Sequence, residues 1–190
     1  MNKSKDLNNY SEIYKDFMHP NPNIYYQAIL ILVKEFRFEF MNDLLNNLKN
    51  KDIFIRRKSI IALGEYGEEI LESIVQLYFN SKNRILRVSC LKIIIKIIVN
   101  FNLKKLNQET MSVVNSALKD SSPEITLAVI SLLRQLGVDG RDVLIKTCRD
   151  KDLLRAKASV TALHEMKDQK VDVFFDQLLN DELVDPMIKD

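Results

Sequence analysis

The feature that most constrains this chain is an internal repeat of about thirty residues. The segments Asp52-Ile-Phe-Ile-Arg56, Asn83-Arg-Ile-Leu-Arg87 and Lys151-Asp-Leu-Leu-Arg155 share a polar start, an aliphatic fourth residue and a closing arginine. Weaker copies begin at Asn21, Ser122 and Asp181. Taking the fifth residue as anchor places the copies at 25, 56, 87, 126, 155 and 185, with steps of 31, 31, 39, 29 and 30 residues. A period of that size means one supersecondary unit per step, stacked so that neighbours bury what no unit buries alone.

Within each copy the spacing is helical. Three residues past the anchor comes a mostly small residue, Ala28, Ser59, Cys90, Val129 or Ala158, and six and seven past it come pairs such as Ala62-Leu63, Ile93-Ile94 and Leu132-Leu133. That spacing is one face of a helix and not a strand alternation. Each anchor segment therefore opens a second helix, with Asp52, Ser122 or Asp152 suited to accept first-turn amides and Pro22 and Pro123 suited to the first turn. Gly67 and Gly137 follow two of these helices as C-caps. First helices are expected over Phe38–Lys49, Glu68–Phe79, Gln108–Lys119, Asp142–Arg149 and Val171–Leu179, where apolar residues recur at three and four. The long step places a longer helix or an exposed loop at Asn100–Asn107. The fold expected is all-α: a right-handed α-solenoid of about five to six helical hairpins forming one domain over residues 1–190, with Met1–Asn9 frayed.

Composition removes several classes of function. With 28 basic and 26 acidic residues interspersed, the formal charge is +2, which gives no support to a nucleic-acid-binding face. The polar start lacks the apolar core of a secretory signal, and the longest apolar run, Ile93–Val99, is interrupted by Lys96 and too short to span a bilayer. A soluble, cytoplasmic protein is expected. Cys90 and Cys148 have neither disulfide-framework nor zinc spacing, so no metal is expected. Four glycines and the absence of G-x-S-x-G, H-E-x-x-H and Walker patterns remove the usual enzyme classes.

The remaining candidates are periodic. Arg56, Arg87 and Arg155 share one repeat position and suit an inter-repeat ladder with Asp52, Asp120 or Asp152. Cys90 sits in the small core position; Cys148, beside Lys146 and Arg149, is either a half-buried small residue or a thiol of lowered pKa. Residues five and nine past each anchor read Leu30, Ile61, Lys92, Ser131, Val160 and Lys34, Glu65, Lys96, Gln135, His164. In a solenoid these rows line a groove, in which Lys34, Lys92, Lys96 and Arg134 are candidate carboxylate contacts, or else the ordinary charges of a solvated face. A nucleic-acid groove would need a cationic face with base-stacking aromatics; here Glu65 interrupts the row and the chain has no tryptophan.

Several segments together carry a family resemblance. Asp52–Gly67 resembles the HEAT-like repeat of phycobilin lyases. With Asn21–Ile24, Leu45–Asp52, Arg87–Leu91, Leu132–Gly137 and Asp185–Lys189, the chain resembles the HEAT-repeat phycobilin lyase and chaperone family (E/F and Y/Z types), particularly the short Z-type of phycoerythrin assembly. The resemblance implies an accessory factor, chaperone-like or a lyase subunit, for attaching a linear tetrapyrrole to cysteines of a phycoerythrin subunit. The implied partners are that subunit and a larger HEAT-repeat bilin lyase. No cofactor is implied as a permanent occupant; the phycobilin is ligand or substrate. Attachment adds a substrate thiolate to the pigment, so it asks for orientation and proton transfer, for which Glu65 and His164 in the groove are the weak catalytic candidates. Whether the chain is an enzyme stays open at this level, and the alternative is a generic HEAT-repeat scaffold without bilin-related activity.

Overall fold

The computed structural model describes residues 3–166, 168–181 and 185–189, and among them every regular element is helical. The chain divides into two compact units, Met1–Leu71 and Glu72–Asp190.

In the first unit, α1 (Lys3–Met18) packs on α2 (Pro22–Glu35), and α3 (Arg37–Asn47) packs on α2 and on α4 (Ile53–Leu63). A 3-10 stretch, Gly64–Ile70, closes the unit, bent at Gly67 with a φ of 75° that favours glycine. Of the segment Met1–Asn9, Lys3–Asn9 belongs to α1, and Met1 and Asn2 lie outside the described residues. Tyr10, Tyr14 and Phe17, spaced at four and three, hold this helix down: the tyrosine hydroxyls bond Asp43 and Asn47, and Phe17 meets Phe40 edge-on at 5.1 Å.

The second unit holds α5 (Leu71–Asn80, from Glu72 onward), α6 (Arg84–Phe101), α7 (Gln108–Leu118), α8 (Pro123–Gln135), α9 (Val138–Thr147), α10 (Leu153–His164), α11 (Gln169–Leu179) and a short α12 (Pro186–Lys189). The helices that follow the anchor segments pack in succession, α6 on α8, α8 on α10 and α10 on α12, while α7 lies against α8 and α9 against both α8 and α10. The long step resolves into both expected features: α6 runs 18 residues, and Asn102 then reverses the chain in the left-handed region at φ 51°. The weak sixth copy, Asp181–Asp185, has residues 182–184 outside the described set, but Asp185 accepts the Met187 amide and starts α12.

Caps fix the register of each unit. Asn21, Asp52, Asn83 and Asp152 accept first-turn amides through their side chains; Ser122 does not, and its hydroxyl donates to Glu124 instead. Just upstream lies a second periodic device that the sequence pattern did not suggest. Each cap's own amide is received by a side chain two residues earlier: His19, Asn50, Ser81, Asp120 and Asp150 for caps 21, 52, 83, 122 and 152.

Counting from the caps changes one assignment. The residues seven past them are Ala28, Ser59, Cys90, Val129 and Ser159, all buried, whereas Ala158 is only half-buried. Ser159 donates to the carbonyl of Arg155 as Ser59 does to that of Ile55. In α10 the repeat is therefore shifted by one residue: Arg155 sits one position earlier in its helix than Arg56 and Arg87. Two further boundaries also differ from expectation. The helix expected from Glu68 begins at Leu71 after the 3-10 stretch, and the one expected from Asp142 begins at Val138.

That earlier start of α9 draws Gly140 against α8. A Cβ there would lie 1.8 Å from the Leu133 carbonyl oxygen, whereas one at Gly137, with φ of 64°, meets nothing within 4 Å. Gly140 is thus required by a backbone contact and Gly137 by its conformation. Beside them, the buried Arg141 of α9 pairs with Asp168, the N-cap of α11, at 2.6 Å, which holds the Asp168 carboxyl below the usual carboxylate range.

Two stability measurements follow. Gly140→Ala should lower the unfolding free energy by about 3 kcal/mol and Gly137→Ala by about 1 to 2, read from denaturant midpoints; an equal or reversed order would contradict the packing described. Asp168→Asn should lower Tm by several degrees at pH 7. The depressed carboxylate contributes fully above about pH 4 and loses that contribution as pH falls through its folded-state value, so the gap from wild type should close on acidification.

Candidate functional site

The expected inter-repeat arginines meet different partners. Arg87 pairs with Asp120 at 2.7 Å, donates to the Tyr78 hydroxyl at 2.5 Å and lies over that ring at 4.4 Å. Arg56 instead donates to the carbonyls of Asn50 and Lys51 in its own loop at 2.7 and 2.8 Å. Arg155 reaches the carbonyl of Leu118 at the end of α7 and stands 3.6 Å from both Asp150 and Asp152. Lys58, in the first unit, similarly donates to the carbonyls of Met18, the last residue of α1, and of His19 just beyond it. A cation at a helix C-terminus satisfies carbonyls that lack intrahelical partners and complements the dipole.

The residues expected to line a groove are distributed over both units. In the first, Lys34 is exposed near the end of α2, and Glu65 is half-buried, accepting a hydrogen bond from the Tyr26 hydroxyl at 3.1 Å. Burial and the neighbouring Glu65 both raise the Tyr26 pKa. In the second unit, Lys92 and Lys96 lie one turn apart on the exposed side of α6. Arg134, a candidate carboxylate contact, is already paired with Glu165. The one-residue shift in α10 puts Thr161 and Glu165, rather than Val160 and His164, in register with Ser131 and Gln135.

His164 consequently faces a different feature. With Val160, Thr161, Phe175, Leu178, Leu179 and Ile188 it lines a cleft of about 440 Å³, its ring 6.4 Å from that of Phe175. A second cleft, of about 470 Å³, is lined by Cys148, Arg149, Asp150, Lys151, Leu153, Asp181, Asp185 and Ile188. Of the two readings of Cys148, the thiol of lowered pKa fails there. The side chain is fully buried, and burial pushes the thiol up to about 12 against the opposing pull of Arg149. Cys90 is likewise fully buried and pushed up to about 12 by burial. Among the described residues no group of three or more His, Cys, Asp or Glu side chains is arranged to hold a metal ion, and no helix is long and apolar enough to cross a membrane.

The fold and these surfaces define an all-helical protein of packed helix pairs, with a pair of lateral clefts and a mixed cationic and aliphatic face. No family model matches the chain. It is 23% identical over 178 residues to the "Uncharacterized phycocyanin operon protein Z" of Pseudanabaena tenuis, covering 93% of this chain and 88% of that protein. It is also 23% identical over 158 residues to the "Bilin biosynthesis protein CpeZ" of a Synechococcus species, covering 80% and 85% of the two chains. The chain is thus similar over most of its length to CpeZ-like proteins.

The buried thiols give a direct chemical test. With pKa values near 12, only about one thiol in ten thousand is thiolate at pH 8, so a thiol-specific disulfide reagent should label native protein very slowly and both cysteines promptly after unfolding. Immediate labelling of either native thiol would contradict the burial described.

Proposed function

We propose that the chain is an accessory factor, chaperone-like or a lyase subunit, for the covalent attachment of a phycobilin to cysteines of a phycoerythrin subunit. The observation that carries this reading is the similarity over 80% of the chain to a protein named for bilin biosynthesis. We read the helix pairs as HEAT-like hairpins of a right-handed α-solenoid forming one repeat domain over residues 1–190, a reading supported by the recurring caps and by the succession α6, α8, α10. In this reading the linear tetrapyrrole is a ligand or substrate and not a resident cofactor. The partners are the phycoerythrin subunit and a larger bilin lyase, and the setting is the cytoplasm of a cyanobacterial-type cell.

The chemistry of attachment fits such a role. The nucleophile is the acceptor protein's own cysteine thiolate, so the assisting protein has to orient two reactants and manage a proton, and buried, protonated thiols of its own do not compete for the pigment. Lys34, Lys92 and Lys96 are the residues we assign to carboxylates of the ligand or its acceptor, and Glu65 and His164 to proton transfer if the chain is catalytic.

Co-expression with a phycoerythrin subunit, a bilin source and the larger lyase tests the proposal. Omitting this chain should lower the yield of covalently bound pigment several-fold; an unchanged yield and unchanged solubility of the subunit would overturn the reading. Glu65→Gln and His164→Ala separate its two forms. A loss of pigment with soluble acceptor retained marks a lyase subunit, and unchanged pigment marks a chaperone-like factor.

A further inference from the structure

The nearly balanced charge of the whole chain conceals a one-sided segment. From Ser73 to Gln108 there is no aspartate or glutamate, while seven cations occur: Lys82, Arg84, Arg87, Lys92, Lys96, Lys104 and Lys105. All lie in the second unit, on α6 or in the loops flanking it. Carboxylates from the neighbouring hairpin meet two of them, Asp120 on Arg87 at 2.7 Å and Glu124 on Arg84 at 3.6 Å. The five lysines are exposed and have no ion pair among the described residues; Lys104 bonds only the Asn102 side-chain oxygen at 2.6 Å.

Apolar side chains interleave with these lysines on one face. Along α6 the accessible stripe reads Ile85, Val88, Lys92, Ile95, Lys96, Val99, of which Ile85 and Val99 are 53% and 52% exposed, and Leu127 of α8 is 51% exposed. The cap register places Val88 level with Leu127, Lys92 with Ser131 and Lys96 with Gln135. The ion pair Arg84–Glu124 lies at the start of these rows and ties α6 to α8 in that register.

We propose that the α6–α8 face docks an acidic amphipathic helix of a partner protein. The stripe advances by three and four residues, the period of a helix laid along another helix, so aliphatic residues and carboxylates on such a partner would meet aliphatic residues and ammonium groups here. Compact ammonium charges on flexible stems accept carboxylates at varied angles, and the field of five uncompensated lysines steers an anionic partner to this side. A nucleic-acid strand is the poorer fit, because the groups between the lysines on this face are Val and Ile and not base-stacking rings. This docking site shares Lys92 and Lys96 with the pigment reading, but it concerns a protein surface and is measured without bilin, so either reading can fail alone.

The test is fluorescence anisotropy of the full chain with a labelled synthetic helix about the length of α6, carrying a leucine stripe flanked by glutamates. Binding should be saturable and weaken as salt rises. Lys92→Glu with Lys96→Glu should weaken it about tenfold or more, and Val99→Ser with Leu127→Ser should weaken it without altering its salt dependence. The control pair Lys15→Glu with Lys49→Glu, an equal change of charge in the other unit, should leave it within about twofold. Melting curves establish that each variant is folded. The proposal is overturned by absent binding, by loss no greater in the α6 pair than in the control, by equal affinity for a glutamate peptide lacking leucine, or by tighter binding of a short DNA duplex.

Discussion

Satisfying backbone amides where the chain reverses into each second helix is the constraint on which the rest of the structure depends. A helix start leaves amides without intrahelical acceptors, and here those starts abut buried cores such as that around Ser59 or Cys90. The chain answers with paired acceptors: one side chain at the cap receives a first-turn amide, and another two residues earlier receives the amide of the cap itself. Because both depend on short polar side chains at fixed spacing, the entry of each helix is set to the residue. So are the core position seven residues on and the accessible rows beyond it. In this scheme His19 and Asp150 are loop acceptors, and Asp120 has two tasks, holding its own loop and pairing with Arg87 of the preceding hairpin.

How far this could be read in the sequence depends on which residues carried the signal. The aliphatic spacing after Asp52, Asn83 and Ser122 reports the core directly, because burial demands it at every turn, and those helices begin where the spacing indicates. The fifth copy, Lys151–Arg155, misleads because Lys151 and Asp152 are both polar and Arg155 imitates the closing arginine of its neighbours. Only the cap hydrogen bond, which Asp152 makes, distinguishes the two alignments. The same one-residue ambiguity moved His164 out of the row that faces Gln135 and into the cleft beside Phe175. Gly140 left no periodic trace, since what it accommodates is the Leu133 carbonyl of another helix. Polar residues masked α1 similarly: its contribution comes from three aromatic side chains spread over two turns, not from an aliphatic stripe.

Arginine and lysine have separated into different tasks, and the separation follows from their chemistry. Guanidinium groups that can donate several bonds in a plane are spent on fixed internal links: Arg37 to Glu69 and the Tyr66 carbonyl, Arg87 to Asp120 and Tyr78, and Arg141 to Asp142 and Asp168. A guanidinium so engaged is poorly available to a ligand, because capturing one would first break bonds that join successive helices. Arg134, tied to Glu165, falls in that class although its position in the row suggested a binding residue.

The ammonium groups of Lys34, Lys92 and Lys96 stay exposed and without ion pairs among the described residues. Leaving them there costs little, since water solvates an ammonium ion well, and gains little stability. Their arrangement along α6 among exposed aliphatic residues is thus not required by folding. A fold of this kind needs a solvated outer face, but alternating charges, as on the rest of the chain, would meet that need equally well. An acid-free run of 36 residues instead keeps one sign of charge beside apolar area, which weakens intramolecular compensation and favours compensation by something outside the chain. For a protein similar over 80% of its length to one named for bilin biosynthesis, Lys92 and Lys96 are the residues that docking of an acidic partner and handling of a pigment carboxylate would have in common.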